Sequence, residues 1–83
     1  MKTVKMLVSS GCKDCEACKA RLSRISSDVG VAISIKEMSF DSSEAIDLAI
    51  EYGLDQVPSF VVESRGFNGM AFDAQELVKT LRI

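Results

Sequence analysis

The apolar period of this chain changes at almost every turn signal, and that alternation restricts the fold more than any other feature. The stretch "TVKMLVS", Thr3 to Ser9, has the Val, Leu and Met content of a buried strand and stops at Ser-Ser-Gly. Cys15, Cys18, Leu22 and Ile25 then fall at spacings of three, four and three, which is one stripe of a helix from about Cys12 to Ser26. Asp28-Val29-Gly30 closes it. Val31 to Phe40 is β-branched and alternates at Ile33 and Ile35. The alternation becomes irregular towards Met38, as at a bulge. Asp41-Ser-Ser-Glu44 resembles a capping box with Asp at its head. It opens a helix from about Ser42 to Tyr52 whose apolar face is Ile46, Ala49 and Ile50, with Gly53 as the residue that ends it. "PSFVVES" reads as a third strand with Pro58 at its start. Asn68-Gly69 is the strongest hairpin signal and Met70 to Phe72 a short return strand. Asp73-x-x-Glu76 caps a last helix carrying Leu77, Val78 and Leu81.

The order β-α-β-α-β-β-α predicts an α/β domain over residues 1–83. A right-handed crossover makes the first two strands parallel, and the closing hairpin adds an antiparallel pair. The expected architecture is a mixed four-stranded sheet with helices on both faces. A length of 83 residues suits one small core and no second domain.

The formal net charge is −2, and Lys and Arg are scattered rather than massed. Neither nucleic acid nor a membrane is therefore an expected partner. The run "VKMLV" is shorter than the ~7 residues a signal h-region needs, and no stretch is long enough to span a bilayer. The expectation is a cytoplasmic protein, in a compartment where thiols stay reduced.

All three cysteines lie in "SSGCKDCEACKARL", Ser9 to Leu22. Such clustering is unlike the spread framework of a small secreted domain and points to redox or metal chemistry. Cys12 falls where strand gives way to helix. Unpaired N–H groups there stabilise a thiolate, and a cysteine pKa of about 8.5 can drop to ~3.5–7.5 at such positions. Cys15, one turn on and on the apolar stripe, is within disulfide reach as a half-buried partner. This asymmetry suits thiol–disulfide exchange, with Cys12 as nucleophile and Cys15 as resolving thiol. Gly11 removes bulk beside the nucleophile and lets the chain turn sharply. Cys18 continues the stripe and reads first as a small core residue.

The spacing Cys12-x₂-Cys15-x₂-Cys18 also opens a ferredoxin-type run, but Leu22 stands where the fourth cysteine belongs. A structural zinc site wants four ligands, and the chain has three thiols and no histidine. A soft-metal module holding copper or zinc remains as an alternative, as does a non-catalytic interaction domain.

With strand, "GCKDC" at the head of a helix, strand, helix and then "QVPSFVV", the chain resembles the thioredoxin/glutaredoxin superfamily over nearly its whole length. The resemblance implies a thioredoxin fold and a thiol–disulfide oxidoreductase that needs no cofactor. It implies a cis-proline at Pro58, and a Val57 backbone that pairs with an extended substrate segment beside Cys12, Cys15 and Gly11. The expected partners are a protein or small-molecule disulfide and, as electron donor, a reductase or glutathione, with the protein itself a monomer. Lys13-Asp14 between the cysteines, and the absence of tryptophan, differ from the usual thioredoxin motif. A single Gly69 before Asp73 differs from the Gly-Gly of glutaredoxins. The likeness is to short thioredoxin-like proteins of glutaredoxin size.

Overall fold

β1, Lys2–Val8, lies inside the sheet and organises it. The computed structural model describes residues 1–83. After β1 come α1 (Lys13–Val29), β2 (Ile33–Ser39), α2 (Ser43–Tyr52), β3 (Ser59–Val62), β4 (Arg65–Asn68) and α3 (Ala74–Leu81). The sheet order is β2-β1-β3-β4, with β1 parallel to β2 and the other two pairings antiparallel. The expected mixed four-stranded sheet is present.

Alternation along β1 divides the core. Val4 and Met6 join Phe60, Val62 and Phe67 on one face, under Cys18 and Leu22 of α1 and Leu77 and Leu81 of α3. Leu7 and Val61 face the other way, onto Ala45 of α2 and onto Leu54. Helices thus cover both faces. Phe60 stacks on Phe67 with centroids 4.9 Å apart, and Phe72 meets Phe60 edge-on at 5.0 Å.

Four local expectations are corrected. β2 has no bulge: its register with β1 is unbroken from Lys2↔Ile33 to Val8↔Ser39. Its pattern is irregular because it is an edge strand with two apolar faces, Ile33 and Ile35 packing on one core and Met38 on the other. The N-cap of α2 is Ser42, whose Oγ accepts the Ala45 N–H at 3.2 Å; Asp41 instead accepts the Ser39 hydroxyl. α2 buries Ala45, with Leu48, Ala49 and Tyr52 beside it, while Ile46 and Ile50 are exposed.

The last correction concerns the hairpin. Its turn is Glu63-Ser64, at φ 49° and 64°, and the return strand is Arg65–Asn68 rather than Met70–Phe72. Two consecutive left-handed residues match the right-handed twist of the flanking strands. Gly66 is required within β4, because a Cβ there would sit 2.7 Å from the Tyr52 Cβ. The caps of the other helices are as expected: Gly30 and Gly53 end α1 and α2 in the left-handed conformation, and Asp73 accepts N–H bonds from Gln75 and Glu76. No helix is long and apolar enough to cross a membrane.

Candidate functional site

The site forms where β1 ends. Ser9 O accepts the Cys12 N–H at 3.2 Å, and Gly11, at φ +74°, takes the conformation that closes this turn without strain. Cys12 is the N-cap of α1, and its Sγ accepts the Cys15 N–H at 3.1 Å. A helix N-terminus thus presents a donor to the sulfur, a contact that strengthens when the sulfur carries negative charge. Cys12 and Cys15 are joined by a disulfide with Cα atoms 5.5 Å apart. Cys12 is half-buried, whereas Cys15 is only 5 % exposed. Lys13 and Asp14, between them, are both exposed.

Cys18 does not join them. It is fully buried among Met6, Leu22, Phe60 and the rest of the larger core cluster, and it is a free thiol. Desolvation pushes its pKa up, against a smaller downward pull from Arg21. Its place on the apolar stripe is therefore a packing position. Nowhere do three His, Cys, Asp or Glu side chains gather as a metal-ligand group.

Val57 and Pro58 reach the same end of the sheet from β3. The antiparallel register sets Ser59 opposite Leu7, so the strand opens beside the end of β1, where the cysteine loop begins. The Val57–Pro58 bond is cis. Val57 is half-buried and Pro58 buried. The loop before them is held by Asn68, whose Oδ1 accepts the N–H groups of Asp55 and Gln56 at 3.2 and 3.1 Å and whose Nδ2 donates to Asp55 at 2.6 Å. Asn68-Gly69, strong as a hairpin signal, serves here as a brace for the proline loop.

Two residues shape this end of the molecule that sequence periodicity does not single out. Arg21 donates to Met70 O at 2.7 Å and Phe72 O at 3.4 Å while its guanidinium lies 4.0 Å from the centroid of the Phe72 ring, tying α1 to the loop before α3. Phe40 donates its N–H to Val8 O at 2.8 Å yet leaves half of its surface exposed. An aromatic residue just past a strand end is the available signal for the second; the first follows only from tertiary contact.

No protein-family model matches the chain, and no curated protein sequence is similar to it. A solved structure shares its fold. It is described as the structure of a malarial protein; it aligns with a TM-score of 0.59 over 99 % of this chain and 94 % of its own, at 13 % identity. At that identity the likeness concerns the fold and says nothing of activity.

Proposed function

We propose that this protein is a thiol–disulfide oxidoreductase with a thioredoxin fold, acting through Cys12 and Cys15. The observation that carries the reading is the asymmetric pair at the helix start: a half-buried Cys12, whose sulfur accepts the Cys15 N–H, bonded to a buried Cys15. In the reduced protein the Cys12 thiolate attacks one sulfur of a substrate disulfide. The substrate S–S bond breaks, a Cys12 mixed disulfide forms and one substrate thiolate leaves. Cys15 then attacks the Cys12 sulfur, closing the internal disulfide and releasing the second thiol. Two electrons pass from the pair to the substrate; the Cys15 proton ends on one product thiol, and the other product leaves as a thiolate that takes its proton from solvent. An external dithiol, a reductase or glutathione resets the pair. The Val57 backbone, at the opening of β3, is the element we assign to docking an extended substrate segment. No cofactor is needed, because the cysteines themselves carry the electrons, and a reducing cytoplasm would supply them.

The test is turnover of hydroxyethyl disulfide with dithiothreitol as electron source, corrected for the direct reaction. The wild-type protein should accelerate it. Cys12→Ser should lower the rate by roughly 100-fold or more. Cys15→Ser should accumulate a covalent adduct with the substrate half, visible by mass spectrometry. No acceleration by the wild-type protein, with the fold intact, would sink the proposal.

A further inference from the structure

Charge is distributed unevenly along the strand direction. The C-terminal ends of β1, β2 and β4 and the start of β3 all lie at the disulfide end of the sheet. The segments gathered there expose four carboxylates, Asp14, Asp41, Asp55 and Asp73, against one lysine, Lys13. Other cations near this end have partners of their own: Lys19 bridges Glu16 and Glu37 at 2.8 and 2.9 Å, Lys5 and Lys36 reach Glu44 at 3.2 and 3.6 Å, and Arg21, which keeps its charge, donates to Met70 O and Phe72 O and lies over the Phe72 ring. Lys2, Arg24, Arg65, Lys79 and Arg82 lie towards the opposite end, on the far parts of the strands and helices. Once these pairs are counted, carboxylates still outnumber cations by two at this end, so the whole net charge of −2 and its field lie on the disulfide side of the molecule.

Beside it the surface extends beyond what a small disulfide needs. An open groove of about 280 Å³ runs between the end of β1 and the end of β2, lined by Val8, Ser9, Ser10, Glu37, Met38 and Ser39. Phe40 stands next to it, held by its N–H bond to Val8 and 51 % exposed. A half-exposed phenyl ring, with hydroxyls and a carboxylate in the adjoining groove, offers an apolar contact and polar acceptors to a chain segment approaching the cysteines.

We infer that the substrate is a cationic polypeptide disulfide, whose Lys or Arg residues meet the carboxylates at the disulfide end of the sheet while an apolar side chain packs on Phe40. The inference rests on the oxidoreductase reading and narrows its substrate class: small anionic disulfides such as glutathione disulfide are repelled by the same field.

The test uses two synthetic peptides, each with one internal disulfide, identical except that Lys or Glu flanks the cysteines. The full chain reduces them with dithiothreitol as electron source, with the uncatalysed rate subtracted. At ~20 mM salt the Lys peptide should have a kcat/KM about tenfold above that of the Glu peptide, and ~0.5 M salt should shrink the ratio to about twofold, because screening shortens the reach of the field. The double variant Asp14→Asn, Asp41→Asn should show a smaller ratio at low salt. Phe40→Ser should raise KM for the Lys peptide. Equal rates, a preference for the Glu peptide, or a preference indifferent to salt would overturn the inference while leaving the oxidoreductase in place. Failure to turn over either peptide or neutral hydroxyethyl disulfide would remove both. The salt dependence of the unmodified protein decides the matter even if the double variant does not fold.

Discussion

Cys18 shows how position on a helix, rather than residue type, assigns a role. One turn beyond a disulfide, it packs in the core with Leu22 and Phe60. Burial raises its pKa above the ordinary thiol value of about 8.5. In the unfolded chain the thiol gives up its proton above that pH, while the folded protein keeps it. The stability tied to this group is therefore complete below about pH 8.5 and is lost as pH rises above it, by up to about 1.4 kcal/mol per unit until the folded thiol itself ionises. Denaturant titrations of the oxidised protein between pH 8 and 11 should show a steeper decline than those of Cys18→Ala. That variant should cost about 1 kcal/mol at neutral pH, since it removes one buried sulfur and leaves a small void. Equal slopes would refute the assignment of Cys18 to the core. In the reduced protein, brief treatment with iodoacetamide should modify Cys12 first and leave Cys18 untouched, as peptide mapping will show.

Among the elements, α2 is where periodicity misleads. Ile46, Ala49 and Ile50 make a plausible stripe, but the helix turns Ala45, Ala49 and Tyr52 inwards. Gly66, opposite Tyr52, lets the helix lie close to β4, and a small face suits that distance better than isoleucine does. Ile50→Lys should therefore change stability by no more than about 0.5 kcal/mol, whereas Ala45→Leu should cost about 1–3 kcal/mol through overpacking. Thermal or denaturant unfolding of the pair checks this, and a large cost for Ile50→Lys would reverse the assignment. The contrast explains what the sequence made legible. Element order, strand pairing and the caps at Gly30, Gly53 and Asp73 depend on local signals, and these were readable. So were the places of Gly11, Cys12 and Cys15 at the strand-to-helix junction and of Pro58 at the opening of β3. The hairpin turn was not, because Glu63-Ser64 adopts left-handed angles that glycine or asparagine would advertise, while Asn68-Gly69 sends that signal from a brace. Asn68→Ala should accordingly speed amide exchange of Asp55 and Gln56 more than that of the β3–β4 turn. The opposite result would return Asn68 to a hairpin role.

For the whole molecule, the open sheet leaves β2 and β4 as edges. Lys36 and Glu37 occupy the middle of β2, and Arg65 begins β4, charges that discourage pairing with another copy. The Cα radius of gyration is 11.7 Å, close to the ~12 Å that chain-length scaling gives for a compact folded chain. Small-angle scattering should find a single-copy particle, and Lys36→Val with Glu37→Val should promote association along β2; a wild-type particle of twice the mass would contradict the edge argument. The burial of the third cysteine has its own consequence at this scale. While the first two are bonded, the molecule holds a single free thiol, on the inner face of α1 and sealed against the sheet and α3. A thiol reagent can reach it only when those helices part from the sheet. The rate of its modification thus serves as a clock for large openings, and its dependence on dilute denaturant would separate a hinge of the helical layer from complete unfolding without any added label.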